Sequence, residues 1–312
     1  MNHHNTAYHT PVLLRSAVDA IINDPSGVYV DATIGGGGHA EAILRRLLPD
    51  AKLIGLDQDD DALNAATMRL AEFEARVVLR KSNFSKLADV ITELGVGPVR
   101  GILFDLGVSS IQLDAPGKGF SFQIDEPLDM RMDRTLVRSA ERIINEFAVE
   151  ELARMFWQYG EERNSRRIAR AIIQQRERGA IATTGQLAKV VESVVPGRFL
   201  VKSLARIFQA LRIEVNDELN NLQRGLESAI NSLVVGGRLV VISYHSLEDR
   251  IVKTVLRNAS ATTLPSGHLL AANIPASPRM KLISKKPLMP ERDEIDANPR
   301  ARSAKMRIAE RL

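Results

Sequence analysis

Length, composition and charge restrict the chain to a few classes of protein. It has 312 residues, 45% of them hydrophobic and 26% charged, and no apolar run approaches the roughly 20 residues that a membrane helix needs. The start, MNHHNTAYHTPVLL, has no signal-peptide pattern, and the absence of cysteine excludes disulfides and thiolate zinc sites. We expect a cytoplasmic protein. The net charge of +4 and the pI of 9.4 permit a nucleic-acid partner.

The first hundred residues alternate between short β-branched runs and longer periodic segments, which is typical of βαβ units. Strands are predicted at 28–33, 52–57, 76–79 and 101–105, and helices at 39–48, 60–74 and 85–94. Parallel strands joined in this way need helices on both faces of the sheet. The pattern predicts a doubly wound α/β sheet with a ligand crevice at the carboxyl ends of its strands.

After Asp105 the alternation stops. A stretch rich in Gly, Pro and Ser is followed by long helical patterns, and a fifth apolar run, RLVVISYHS, comes only after the Gly236-Gly237 pair. We predict an inserted, mainly helical domain at 107–215, which leaves 1–106 and 216–312 to form the sheet domain. The C-terminal segments KLISKK and AKMRIAERL are candidates for further edge strands.

The glycine tract after the first strand predicts a nucleoside-binding turn. Gly35, Gly37 and Ala40 satisfy G-x-G-x-x-[GA], and Asp57 ends the next strand about 20 residues later, where an acid can bind ribose hydroxyls. The glycine pattern and this acid fit NAD and S-adenosyl-L-methionine equally well. Asp31, ahead of the first glycine, would oppose a pyrophosphate but favour the ammonium and sulfonium of the methyl donor. With Asp105, acids lie at the ends of three predicted strands, and the pattern favours the methyl donor.

A series of blocks spread from His9 to the C-terminus resembles the bacterial small-subunit ribosomal RNA cytosine N4-methyltransferase family. The blocks are HTPVLL, DATIGGGGHAEAIL, GLDQDD, FDLGVSS, PLDMRMD, YGEER, ISYHSLEDRIVK and NPRARSAKMRIAERL. The resemblance implies a Rossmann-like class I methyltransferase fold with an inserted helical domain. It also implies methylation of N4 of cytosine 1402 in the decoding region of 16S rRNA, with S-adenosyl-L-methionine as the donor.

The resemblance also implies a set of donor contacts. Carried over block by block, these are Gly37, Gly38, His39, Asp57, Phe84, Asp105 and Gln112, to which the residue pattern adds Asp31 and Gly35. Many amine methyltransferases have an Asp/Asn-Pro-Pro-aromatic motif at the end of strand four, but this chain has DLGVSS there. Asp105 is therefore our only candidate for a catalytic contact with the acceptor amine.

Substrate contacts are predicted in two places. Tyr244, after the fifth strand, could stack on a flipped cytosine, whereas we interpret the adjacent His245 as structural. In the insertion, Arg166, Arg167 and Arg170 are candidates for phosphate contacts, although a solvated helix face would have the same composition.

Three further interpretations concern the aromatic residues of the insertion, metal binding and the alternative functions. The aromatics Phe156, Trp157 and Tyr159 of the insertion are expected in its core rather than in a base-stacking platform. No residues with convincing metal-ligand spacing are present. An NAD-dependent oxidoreductase and a non-catalytic ribosome assembly factor remain the alternative functions.

Overall fold

The computed structural model describes residues 11–108, 117–264 and 274–312. Within these residues seven strands form one sheet in the order β3-β2-β1-β4-β5-β9-β8. The parallel strands are β1 (Val28–Asp31), β2 (Lys52–Asp57), β3 (Val77–Lys81), β4 (Val99–Asp105) and β5 (Leu233–Ser243). The antiparallel strands are β8 (Met280–Leu282) and β9 (Lys305–Arg311). A separate ribbon pairs β6 (Thr263–Leu264) with β7 (Ile274–Pro275).

Helices cover both faces of this sheet. They are α1 (Leu14–Ile21), α2 (Gly38–Leu44), α3 (Asp60–Arg69), α4 (Leu87–Glu93), α10 (Glu218–Ser232), α11 (Ser246–Ala259) and α12 (Arg292–Ala297). Alternate residues of a strand enter opposite cores: Val30 lies in the core that α4, α10 and α11 cover, and Tyr29 lies in the core that α1 and α2 cover. Because both faces are buried, all four residues of β1 are buried. The Rossmann-like α/β fold predicted from the sequence is confirmed.

The Gly236-Gly237 pair lies inside β5 rather than before it. Val99 of β4 pairs with Leu233, but Gly101 pairs with Arg238, so the register shifts across the glycines and β5 bulges there. Gly236 has a φ of 80°. The fifth strand therefore starts earlier than predicted, and it ends at Ser243, one residue before Tyr244.

Three predicted helices differ from the observed ones. The helix predicted at 39–48 begins at Gly38 and ends at Leu44. The helix predicted at 60–74 ends at Arg69, and a 3₁₀ turn over Ala71–Arg76 leads into β3. The long helical pattern before β5 is broken at Asp217, whose φ of 49° is left-handed. There the Arg212 guanidinium donates two hydrogen bonds, of 2.8 and 3.0 Å, to the Glu218 carboxylate.

The residues divide into two compact units. One comprises the residues up to Gly107 together with Asn220–Leu312, and the other lies within Val108–Leu219. The second unit contains α5 (Ala140–Glu146), α6 (Val149–Gly160), α7 (Ser165–Arg176), α8 (Thr184–Glu192) and α9 (Gly197–Asn216). In the described part of the chain, no helix combines the length and apolar character needed to cross a bilayer.

The second unit has a hydrophobic core of its own. The core contains Phe156, which is fully buried, and Tyr159 packs against it. The expectation for Trp157 is wrong: its side chain is 62% exposed. Asn216, buried at the end of α9, holds the loop before α5 by accepting from Met132 N–H at 2.9 Å and donating to the Met130 carbonyl at 2.8 Å.

Candidate active site

The glycine turn after β1 has a different explanation at each of its last two positions. Gly37 has a φ of 77° and stands as the N-cap of α2, a conformation that glycine adopts without a steric penalty. At Gly38 a Cβ atom would lie 2.4 Å from Cγ of Pro11. The proline ring of the N-terminal block thus requires a glycine at position 38, whether or not a ligand also approaches the backbone there.

Asp57, at the end of β2, holds the turn from the other side. Its Oδ2 accepts from Gly35 N–H at 3.0 Å and its Oδ1 accepts from Asp59 N–H at 3.0 Å. Burial raises the pKa of Asp57 to about 6, although these two N–H groups lower it. Each carboxylate oxygen has a second lone pair, so the side chain can still accept hydrogen bonds from ribose hydroxyls.

Asp31 ends β1, between β2 and β4, and its side chain is almost fully buried. Burial raises its pKa to about 7 against the effect of Thr33 N–H, which donates to Oδ1 at 3.2 Å. The carboxylates of Asp105 and Asp57 raise this pKa further. The acids that end three neighbouring strands therefore act on one another, and together they make this edge of the sheet suited to a cationic ligand.

Asp105, at the end of β4, contacts side chains from two other segments of the chain. Its Oδ1 accepts from the Tyr244 hydroxyl at 2.7 Å, and its Oδ2 lies 3.5 Å from Nδ1 of His39 in α2. The backbone N–H of Asp105 donates to Oγ1 of Thr33 at 2.6 Å. Burial, followed by the charge and hydrogen bond of Asp105, raises the pKa of Tyr244, so this phenol remains a neutral donor.

His245 is the N-cap of α11. Its Nδ1 accepts from Glu248 N–H at 3.4 Å, while Oε2 of Glu248 accepts from the N–H groups of Tyr244 and His245 at 2.8 and 3.3 Å. This reciprocal arrangement is a capping box, with histidine in the place of the usual Ser or Thr. The capping box fixes the backbone that carries Tyr244.

Phe84 follows β3 and packs edge-on against Phe104 at a centroid distance of 5.5 Å. A Cβ at Gly225 would lie 2.8 Å from the Phe84 ring, so a glycine is needed there for close packing. These contacts belong to the core, and the donor contact of Phe84 stays a prediction. Gln112 lies outside the described residues.

Arg166, Arg167 and Arg170 lie on the exposed side of α7, and the buried residues Ile168, Ala169 and Ile172 form its other side. Within the described chain none of the three guanidinium groups has a hydrogen bond or ion pair. Arg176 on the same helix differs, because it donates to the carbonyls of Ile144 and Phe147 at 3.0 and 2.8 Å. The three exposed arginines are thus not needed for the local fold.

The sequence matches the profile of the MraW methylase family over residues 6–312. The chain belongs to this family. Two curated relatives named ribosomal RNA small subunit methyltransferase H are each 48% identical to it. The one from Carboxydothermus hydrogenoformans aligns over 97% of this chain and 98% of its own length, and the one from Symbiobacterium thermophilum over 98% and 97%. A solved rRNA methylase from Streptococcus thermophilus is more distant, with 13% identity and a TM-score of 0.42 over 96% of this chain and 93% of that chain.

The match confirms the family that the sequence blocks predicted and identifies the protein as an S-adenosylmethionine-dependent methyltransferase. The residues fit that donor, because buried and half-buried carboxylates surround the turn and offer it negative charge and hydrogen-bond acceptors. The same carboxylates would repel the negatively charged pyrophosphate of a dinucleotide. Which residues contact the donor remains a prediction.

Several residues that shape this site were missed by the sequence analysis. Thr33 accepts from the Asp105 backbone, Pro11 packs on Gly38, and the Val12 carbonyl oxygen lies 3.1 Å from Nε2 of the buried His39. All three contacts join residues that are far apart in the sequence. The HTPVLL block was the available signal for the last two, since it resembles the family without any evident ligand chemistry of its own.

Proposed function

We propose that the protein methylates the exocyclic N4 amine of a cytosine in 16S rRNA of the small ribosomal subunit, namely cytosine 1402 of the decoding region. The observation that carries the substrate class is the 48% identity, over 97% or more of the chain, to relatives named ribosomal RNA small subunit methyltransferase H. Because this substrate is a ribosomal particle, we expect the protein to act in the cytoplasm.

The acids at the strand ends bind different parts of the donor. S-adenosylmethionine, when bound, supplies the methyl group from its sulfonium. Asp57 accepts hydrogen bonds from the ribose hydroxyls, while Asp31 places negative charge near the cationic groups. A cation beside Asp31 favours its ionised form and offsets the burial that raises its pKa. Gly35, Gly37, Gly38, His39, Phe84 and Gln112 complete the proposed donor set.

The acceptor amine needs help because its lone pair is delocalised into the cytosine ring. Asp105 provides a carboxylate that accepts an amine N–H, favours a pyramidal nitrogen and stabilises the positive charge that develops on it. In this role Asp105 replaces the backbone acceptor of the missing Pro-Pro motif. Alignment of the amine with the donor methyl supplies further rate acceleration.

The RNA contacts proposed for the second unit are the guanidinium groups of Arg166, Arg167 and Arg170. They are exposed and have no acidic partner among the described residues, as expected of phosphate contacts. Folded RNA is recognised largely through its backbone and its unpaired bases. The Tyr244 ring remains our candidate for stacking on the target cytosine, with its hydroxyl held by Asp105.

The proposal is tested by incubating the protein with labelled donor and unmodified small ribosomal subunits, followed by nucleoside analysis of the RNA. We expect the label in N4-methylcytidine. Label on C5 of cytosine or on a ribose hydroxyl would overturn the assigned reaction. Tight binding to the subunit without any transfer would favour the assembly-factor alternative.

A further inference from the structure

His39 is held in one tautomer by the N-terminal segment. Its Nε2 lies 3.1 Å from the carbonyl oxygen of Val12, and a carbonyl oxygen can only accept a hydrogen bond. Nε2 must therefore carry a hydrogen. In a neutral imidazole the other nitrogen, Nδ1, then has no hydrogen and presents a lone pair.

That lone pair faces a second acceptor. Nδ1 of His39 lies 3.5 Å from Oδ2 of Asp105, and the histidine side chain is 5% exposed. Two acceptors at this distance repel each other unless a proton lies between them. Oδ1 of Asp105 already accepts from the Tyr244 hydroxyl at 2.7 Å, which fixes the carboxylate and directs Oδ2 towards the histidine.

The acidic groups around this pair favour a bound proton, whereas the Arg69 guanidinium, which lies beside Gly38 and pairs with Glu41, opposes it. Asp31 and Asp57 lie at the ends of the neighbouring strands, and Glu248 and Glu294 act on Tyr244 from α11 and α12. Each of these carboxylates makes an added positive charge on the pair more favourable.

We propose that His39 and Asp105 together hold the proton that the methylated amine releases, and that Tyr244 is the positioning residue for Asp105. The inference rests on the proposed function. The amine lone pair forms the N–C bond while the electrons of the C–S bond remain on sulfur. The N–H proton then passes to Asp105 and rests between Oδ2 and Nδ1 of His39.

The first test uses the free protein and ¹⁵N NMR of its histidine rings, with His39→Gln to identify the His39 signals. We expect Nε2 to carry a hydrogen, and we expect Nδ1 to be the ring nitrogen whose signal responds to Asp105. In Asp105→Asn the Nδ1 signal should move, because its anionic partner is lost. A ring protonated on Nδ1 alone, or an Nδ1 signal that Asp105→Asn leaves unmoved, would overturn the inference.

The second test is the pH profile of the single-turnover rate at saturating donor in Tyr244→Phe. Loss of the hydroxyl removes a hydrogen bond from Oδ1 and makes the carboxylate more basic, so the rising limb should move to higher pH. We expect a rate roughly three- to tenfold lower at neutral pH, with the KM for donor nearly unchanged. A purely structural role would lower the rate at every pH alike and leave the limb in place, which would refute the positioning role.

The nucleoside assay distinguishes this inference from the proposed function. Formation of N4-methylcytidine together with an unmoved Nδ1 signal and an unmoved pH limb would contradict the inference alone. Absence of N4-methylcytidine would contradict the proposed function, and it would also remove the amine as the source of the proton.

Discussion

Asp57 shows how one side chain can combine a structural and a binding role. Its carboxylate accepts from the N–H groups of Gly35 and Asp59 and, as we propose, from the donor's ribose. Asp57→Ala should weaken donor binding by roughly 1.5 to 3 kcal/mol, the scale of hydrogen bonds to a charged group. Calorimetry measures this directly. Asp60→Ala is the matched control, since Asp60 is exposed and pairs with Lys81 at 2.6 Å. Unchanged affinity in a folded Asp57→Ala protein would refute the role.

Gly38 tests the contact between the glycine turn and the N-terminal block. A methyl group there would lie 2.4 Å from Pro11. Gly38→Ala should lower the free energy of unfolding by about 1 to 3 kcal/mol, the usual cost of overpacking. Denaturant titration provides the measurement, and Gly97→Ala is the control because a Cβ at Gly97 meets nothing within 4 Å. Equal stability of the two variants would show that Pro11 moves aside without cost.

At the scale of elements, the carboxyl ends of β1 and β2 predict a pH dependence of stability in the absence of donor. Burial raises the pKa of Asp31 to about 7 and that of Asp57 to about 6, both from 3.8. The folded state therefore binds more protons than the unfolded state in this range, so the free energy of unfolding falls as pH rises from about 4 to 7 and then levels.

Asp31→Asn isolates the share of β1 in this dependence. In the variant the free energy of unfolding should fall less steeply with pH, by up to about 1.4 kcal/mol per pH unit, because a single titrating group contributes no more than that. Above about pH 7 it should be more stable than the parent protein, because it avoids burying a charge. Urea titrations across this range provide the measurement. A slope identical to the parent's would mean that Asp31 is ionised throughout.

Helix α7 allows a test of RNA binding that leaves the core intact. Neutralising Arg166, Arg167 and Arg170 together should weaken binding to the small subunit and leave donor affinity unchanged. The slope of log affinity against log salt should flatten by up to about one unit for each lost phosphate contact. Replacing the same three residues by lysine keeps the charge and should keep most of the slope. An unchanged slope in the neutral variant would identify a solvated helix face.

For the whole molecule, the sequence predicted the features that depend on local pattern. The apolar runs at 28–33 and 52–57 indicated parallel strands because both faces of the sheet are covered, and acids after three strands indicated the site. Contacts between distant segments left no local signal, as in the packing of Pro11 on Gly38 and the pairing of Tyr244 with Asp105. Trp157 was assigned to the core by residue type, but its position on α6 exposes it.

The central claim is that Asp105, at the end of β4, acts on the acceptor amine as charge develops there. The most direct measurement is the single-turnover rate of Asp105→Asn on unmodified small subunits at saturating donor, compared with the parent protein. Asparagine keeps the shape and one acceptor but removes the charge. We predict a rate lower by on the order of a hundredfold to a thousandfold, the cost of losing one preorganised electrostatic contact. A normal rate at saturating donor, with only the donor affinity reduced, would contradict the claim and restrict Asp105 to donor binding.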